Sequence, residues 1–192
     1  MESSAYKLEP DFFRSESING QVYNFSSPRA YHGKICGNIF NAFMNFLKGK
    51  RCQVFSQIDV FFENASKDYV CPDVMVICDT NKIIEDRIWG SPDLVVEILS
   101  PSTSKYDKGL KKDFYENVGV KELWLVNSYD KTIDVYLLNS ENKYYLDEVY
   151  TIFEMSRNPN NIEKNALKPI IKTSLYGDDF TIELSEIFAP IV

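Results

Sequence analysis

Histidine, closely spaced cysteine pairs and long apolar runs are scarce in this chain, and each shortage excludes a class of protein. His32 is the one histidine among 192 residues, so a metal site built from several histidines is excluded. No apolar run approaches the ~20 residues that a membrane helix needs. Residues 1–4 lack a basic and apolar leader, which argues against a secretory signal. We therefore expect a cytoplasmic protein with no membrane span.

The cysteines show no spacing typical of a zinc site or a disulfide framework. There are four of them, at Cys36, Cys52, Cys71 and Cys78. Such scattered cysteines in a chain without a leader predict reduced thiols in a cytoplasmic protein.

Basic residues are outnumbered by acidic ones, 21 against 28, and the net charge is −7. A protein that coats nucleic acid in general would be basic, so this class is disfavoured. A local lysine-rich patch stays possible, because carboxylates elsewhere can hide it in the sum. With 44% apolar and 26% charged residues, the chain should be globular. Its length suits one domain over residues 1–192.

The hydrophobic pattern predicts an α/β fold. An Asn-Gly turn predicts a hairpin over 18–23, and apolar residues every three or four positions predict a helix over 31–48. Segments 74–78 and 94–99 are almost entirely apolar, as in strands covered on both faces of a sheet. Further strands are predicted at 53–62, 123–126, 133–138, 143–149 and 181–184, and further helices at 104–118 and 184–188.

Two of these apolar strands carry one acid each. If they pair antiparallel, Asp73 falls near Leu99, with Glu97 two residues back on the same face, because side chains alternate with period two. Asp93 shares that face but lies four residues from Glu97, roughly 13 Å along the strand. Asp73 and Glu97 are therefore the better candidates for converging carboxylates.

Paired carboxylates of this kind suit Mg²⁺ or Mn²⁺, which take hard oxygen ligands. Such an ion can orient a phosphodiester, activate water and stabilise the charge that develops during cleavage. The alternatives are that Asp73 caps a turn after Pro72 and that Glu97 is an ion-pair residue. Glu97 would nevertheless be costly to bury in an apolar strand without a partner.

The helix predicted at 104–118 runs back over the strand that precedes it. Lys111 lies roughly 10 Å along this helix, and Glu97 about 7 Å back from the strand end, so the lysine could reach the metal zone. Asp107 is one turn earlier and can pair with it, whereas Lys108 and Lys112 face other sectors. Together with Lys105, these lysines predict a patch that contacts DNA; the alternative is a solvated charged face.

Four runs carry a family resemblance: YVCPDV at 69–74, SPDLVVEILSPST at 91–103, YDKGLK at 106–111 and YENVGVKELWLV at 115–126. They resemble the Uma-two family of restriction endonucleases, a branch of the PD-(D/E)XK nuclease superfamily. Weaker similarity extends the match over most of the chain. The resemblance implies a restriction-endonuclease-like core, a central mixed β-sheet flanked by helices with an added β-meander.

The resemblance also implies Mg²⁺-dependent phosphodiester cleavage in DNA. Asp73 and Glu97 match the family's metal-binding acids. The superfamily's usual lysine, two residues after the second acid, is Leu99 here, and Lys111 on the following helix is the matching position. His32 matches a position that could approach the site, or else is a partly buried residue at a helix start. Asp59 is a further acid of the site or a surface residue.

Two functions of different classes remain open at this point. The acid pair and Lys111 favour a metal-dependent DNA endonuclease, and cutting both strands would favour a homodimer. The acidic net charge and Leu99 in place of lysine favour an inactive nuclease fold that binds nucleic acid or protein. A hydrolase with a serine nucleophile is disfavoured, because no Gly-x-Ser-x-Gly elbow is present.

Overall fold

A computed structural model describes residues 14–63, 67–101, 103–152 and 169–190. The strands are β1 (Arg14–Ile18), β2 (Gln21–Phe25), β3 (Gln53–Phe55), β4 (Val60–Phe61), β5 (Tyr69–Val70), β6 (Val74–Ile77), β7 (Ile83–Ile84), β8 (Arg87–Trp89), β9 (Leu94–Leu99), β10 (Glu122–Asn127), β11 (Thr132–Leu138), β12 (Tyr144–Thr151), β13 (Ile170–Thr173) and β14 (Gly177–Glu183). The helices are α1 (Ala30–Leu47), α2 (104–118) and α3 (Leu184–Ile187), with a 3₁₀ turn at Thr80–Lys82. No helix of this described part is long and apolar enough to cross a membrane.

A central sheet of six strands in the order β12-β11-β10-β9-β6-β3 organises the molecule. Only β9 and β10 pair in parallel in this sheet, with α2 as the crossover between them, and the other neighbours are antiparallel. All six residues of β9 are buried, because both faces of the sheet are covered. The predicted mixed sheet is confirmed. The meander β10–β12 forms one side of it.

Helix α1 covers one face of this sheet. Its buried residues Ile35, Ile39, Phe43 and Leu47 recur every four positions, which places them on one side of the helix. The Phe43 ring lies 4.4 Å from that of Phe180, centroid to centroid. This apolar stripe fixes α1 against the sheet and sets the position of its first turn, where His32 lies.

A second six-stranded sheet, in the order β2-β1-β5-β4-β8-β7, was not predicted from the sequence. It shares an apolar cluster with the other face of the central sheet and with α2. The predicted hairpin is confirmed as β1–β2, with Asn19 and Gly20 at φ values of 54° and 74°. The carboxylate of Asp68 accepts hydrogen bonds from both of their backbone N–H groups. The turn is thereby held against the body of the protein.

Two predictions about residues 52–78 are wrong. The single strand predicted at 53–62 divides into β3 and β4, which belong to different sheets. The chain changes direction between them at Gln57, whose φ is 53°. Cys52 and Cys78 form a disulfide instead of remaining thiols, because the pairing of β3 with β6 places these strand ends side by side. Cys36 and Cys71 are free, as predicted, and both are buried.

Glu122 is a fully buried carboxylate at the start of β10. Burial raises its pKa, although hydrogen bonds from Ser174, Trp124 and Thr173 oppose the rise. One oxygen accepts from Trp124 Nε1 at 2.6 Å. The other accepts from Thr173 Oγ1 and Ser174 N, both at 2.8 Å. Glu122 therefore ties the β13–β14 hairpin to the central sheet.

Glu122→Gln should lower the free energy of unfolding by about 1–3 kcal/mol, the usual cost of leaving a buried polar group without a partner. The new amide N–H₂ is a donor and would face groups that already donate. Urea unfolding at neutral pH measures the change, with the exposed Glu141→Gln as the matched control. Equal midpoints for both variants would show that the buried contacts contribute nothing.

Candidate active site

A cavity of about 430 Å³ opens where β1, the start of α1, β6, β9 and α2 meet. Its wall includes five of the residues singled out from the sequence: His32, Asp73, Glu97, Asp107 and Lys111. They come from four different elements, so the convergence is a property of the fold. The carboxylates and the lysine at its base are almost completely buried, with Asp73 4%, Glu97 3% and Lys111 3% exposed.

The strand pairing places the two acids closer than predicted. β6 and β9 are antiparallel, with Val74 opposite Val96, so Asp73 continues the register beside Glu97. The expected neighbour of Asp73 was Leu99, which is two residues too far along β9. This register places Asp73 and Glu97 directly opposite one another on adjacent strands, the arrangement in which cross-strand side chains lie closest.

Asp73 is held from three directions. Its Oδ2 accepts from the backbone N–H of Ile98 at 2.8 Å and lies 3.1 Å from His32 Nε2. Its Oδ1 lies 3.5 Å from Arg14 Nη1. Burial alone would raise the pKa of Asp73, but the His32 hydrogen bond and the nearby charges outweigh it and lower the pKa. Asp73 is therefore ionised at neutral pH.

Glu97 is held by two side chains of helix α2, Tyr115 and Lys111. Its Oε1 accepts from Tyr115 OH at 2.6 Å and lies 2.8 Å from Lys111 Nζ. Burial raises the pKa of Glu97 to about 8, and the Lys111 ammonium only partly opposes this. The strand fixes the Glu97 backbone and Tyr115 fixes its carboxyl group, so the carboxyl group has a defined place in the wall.

Lys111 and Asp107 lie on a part of helix α2 that departs from regular α-helical geometry. The helix starts as Ser104–Tyr106, widens into a π-helical stretch at Asp107–Lys111 and ends as Lys112–Val118. Such stretches are rare and are often found at functional sites. In this stretch Asp107 and Lys111 are the buried residues. Burial raises the pKa of Asp107, although Lys111 opposes the rise.

Glu16 and Arg14, both on β1, were missed by the sequence analysis. Glu16 Oε1 lies 2.8 Å from Lys111 Nζ, and its Oε2 accepts from Tyr106 OH at 3.0 Å. Arg14 bridges Glu16 and Asp73, at 3.3 Å and 3.5 Å. Charged residues at alternate positions of a short strand are typical of a solvent-facing edge. The only available signal was their spacing just before the Asn-Gly turn.

The buried charges of the site do not balance without a further cation or bound protons. Four carboxyl groups, of Glu16, Asp73, Glu97 and Asp107, lie around two permanently basic side chains, Arg14 and Lys111, and the third cation of the described wall, Arg29, is exposed. Burial raises the pKa values of Glu97 and Asp107, and the negative charge of the neighbouring carboxylates raises them further. Burial would lower the pKa of Lys111, but Glu97 and Glu16 outweigh it and raise the pKa, so Lys111 stays an ammonium.

This donor set and charge fit a divalent cation such as Mg²⁺ or Mn²⁺. An ion between Asp73 and Glu97 would replace protons as the compensating charge. Within the described residues, no group of three or more acidic, histidine or cysteine side chains is arranged to hold a metal ion. Two carboxylates would therefore be the protein ligands, and water or substrate oxygens would complete the shell, as Mg²⁺ commonly requires.

The remaining predicted residues lie elsewhere. Lys105 and Lys108 are exposed on α2, whereas Lys112 Nζ lies 5.1 Å from the centroid of the Tyr136 ring. Lys111 is buried, so the predicted surface patch would consist of Lys105, Lys108 and Lys112 without it. Asp59 is exposed. Burial raises the pKa of the Cys71 thiol, and the charge of Asp59 adds to the rise. Asp93 accepts from Lys121 Nζ and Cys78 N, apart from Glu97, as expected.

The family model of Uma2, described as "Putative restriction endonuclease", matches residues 3–167. The chain belongs to the Uma2 family. Two relatives come from Synechocystis sp.: Uncharacterized protein slr1290 is 33% identical, with 69% of this chain and 70% of the relative covered, and Uncharacterized protein sll1609 is 24% identical, with 71% and 78% covered.

A solved structure shows the same fold. The crystal structure of a "putative nuclease belonging to DUF820" from Anabaena variabilis superposes with a TM-score of 0.69, covering 91% of this chain and 89% of that one. At 18% sequence identity, the similarity extends to the architecture alone. The Uma2 chain therefore has a nuclease-type α/β fold.

Proposed function

We propose that this Uma2 chain is a Mg²⁺- or Mn²⁺-dependent endonuclease that hydrolyses phosphodiester bonds in DNA. The observation that carries the proposal is the convergence of Asp73, Glu97 and Lys111 at the base of one cavity. Membership of a family described as "Putative restriction endonuclease" and the nuclease-type fold support it.

In this proposal Asp73 and Glu97 hold the metal and Lys111 acts on the substrate. The ion would supply activation of water and stabilisation of the charge that develops on the phosphate. Lys111 lines the cavity, so its ammonium would add positive charge where the phosphate oxygens become more negative. The hydrogen bonds from Ile98 and His32 to Asp73 and from Tyr115 to Glu97 keep both carboxylates in place.

Incubation of supercoiled plasmid with the protein tests the proposal. Nicked plasmid should appear with Mg²⁺ or Mn²⁺ and not with EDTA, because negative supercoiling favours the opening of short unpaired stretches in the plasmid. Asp73→Ala should remove the metal-dependent nicking, whereas Asp86→Ala, at an exposed turn, should retain it. Equal nicking by both variants would place the activity in a contaminant or at another site.

The second candidate function is an inactive nuclease fold that binds nucleic acid or protein. The observation in its favour is that Lys111 and Arg14 already occupy oxygens of the acid pair. Saturating Mn²⁺ that produces no cleavage, together with measurable binding of DNA, would favour this alternative.

A further inference from the structure

We infer that the site accepts an unpaired polynucleotide strand rather than an intact duplex. The inference rests on the proposed nuclease function and adds the class of substrate. It draws on three independent properties of the cavity: the depth of its acids, the chemistry of its walls and the shortage of exposed cations.

The depth of the acids separates a single strand from a duplex. Asp73 and Glu97 are 4% and 3% exposed, at the base of a cavity of about 430 Å³. That volume is in the range of pockets for small ligands, so the cavity has room for a short stretch of one strand and not for the width of a duplex. A phosphate on the outside of a rigid duplex cannot descend to buried carboxylates unless its strand leaves the helix.

The walls offer contacts that suit unstacked nucleotides. Phe25, Pro28 and Pro101 supply apolar surface, and the Phe25 ring packs 5.0 Å from the ring of Tyr106, centroid to centroid. A half-buried ring fixed in this way is a platform on which a base can stack, whatever its identity. Hydroxyl groups that suit sugar and phosphate oxygens also line the cavity, on Ser26, Ser27 and Ser128, whereas those of Ser100 and Thr103 are hydrogen-bonded to each other.

The wall lacks the cations that duplex binding needs. Proteins bind duplex DNA largely by neutralising several phosphates with lysine and arginine. Among the described residues that line the cavity, Arg29 is the exposed cation, while Lys111 and Arg14 are engaged by carboxylates. With a net charge of −7, the chain is poorly suited to hold a long duplex. One strand needs fewer such contacts.

Cleavage of one sequence in four forms tests the inference, with Mn²⁺ present: single-stranded DNA, single-stranded RNA, a blunt DNA duplex, and the same duplex with an unpaired flap. At least one single-stranded form should be cut about 10-fold faster than the duplex or more, because drawing a strand from a duplex is costly. The flap should be cut in its unpaired part. The two single-stranded forms distinguish DNA from RNA as the source of the strand. A duplex cut as fast as the single strands would overturn the inference.

Binding separates failure of this inference from failure of the proposed function. Fluorescence anisotropy with Ca²⁺ should show tighter binding of a single strand than of the duplex, even if no form is cleaved. In that case the nuclease proposal fails and the strand preference stands. Equal or tighter binding of the duplex overturns the strand preference whether or not cleavage occurs.

A variant pair tests the role of the aromatic wall. Phe25→Leu keeps apolar bulk but removes the ring face, and should weaken single-strand binding by about 5-fold or more, as expected for loss of one base–aromatic stack. Val22→Ala is the control, because Val22 lies on the same strand, is 58% exposed and is not part of the cavity wall. Unchanged affinity in Phe25→Leu would contradict stacking on this wall.

Discussion

Lys111→Met should lower the rate of metal-dependent cleavage by about 100-fold or more, as expected when one donor to a transition-state charge is lost. It should also destabilise the protein. Lys111 Nζ lies 2.8 Å from both Glu97 and Glu16, so its removal leaves Glu97 without a cationic partner and Glu16 with Arg14 alone. Breaking a buried pair in this way typically costs about 3–5 kcal/mol.

The stability loss should depend on pH. It should be greater above about pH 8, where the wild-type Glu97 is ionised, than below it, where Glu97 is protonated whether or not Lys111 is present. Urea unfolding of wild type and variant over a pH series measures this, and cleavage is compared only where both are folded. Lys112→Met is the matched control, since Lys112 is the next residue on α2 and lies over the Tyr136 ring.

A second-site change tests the role of Lys111 in cleavage. Leu99 lies on the cavity wall, two residues after Glu97, so a lysine at this position would share the strand face of Glu97. Lys111→Met/Leu99→Lys should regain part of the lost activity if the fold tolerates the charge, which circular dichroism must establish first. If Lys111→Met itself cleaves as fast as wild type, the assignment to Lys111 is wrong.

Glu97→Gln should reduce Mn²⁺ affinity by more than about 100-fold, because it removes a metal ligand and not merely an outer partner. In wild type the affinity should rise with pH up to about 8, since the ion can bind only after the Glu97 proton leaves. Isothermal titration calorimetry at several pH values measures both effects. Equal affinity in variant and wild type would place the ion elsewhere.

The same variant should become more stable relative to wild type as pH rises. Glu97 has a pKa raised from 4.5 to about 8 in the folded protein. Between these pH values the folded state holds a proton that the unfolded state has released. The contribution of this proton to the free energy of unfolding is therefore fully present below about pH 4.5 and is lost as the pH rises through about 8. Glutamine has no such proton. Glu85→Gln, at an exposed turn, should track wild type throughout.

The sequence predicted the central sheet because its signals are local. The apolar runs of β6, β9 and β10 and the four-residue spacing in α1 are visible without any tertiary information. The acid pair could be predicted for the same reason: a carboxylate inside the apolar run of β9 is costly to bury unless it has a partner. Its exact register with Asp73 required the strand pairing itself.

The missed features depend on contacts between distant parts of the chain. Nothing near Glu16 indicates that its carboxylate meets Lys111, 95 residues away. The disulfide between Cys52 and Cys78 depends on which strands pair, not on cysteine spacing. The break between β3 and β4 comes from a positive φ at Gln57, a conformation that the apolar pattern of the segment does not reveal.

The division of the site between two sheets has a consequence for how activity appears during folding. Glu16 and Arg14 belong to one sheet, whereas Glu97 lies on β9 of the other and Asp73 directly precedes β6 of that same sheet. The unit β9–α2–β10 is contiguous in sequence and can form early, whereas contacts between β1 and α2 close a very long loop and should form late. Refolding chains should therefore regain the circular dichroism signal of their helices and strands before they regain metal affinity. The length of the delay would measure how long the two sheets take to dock.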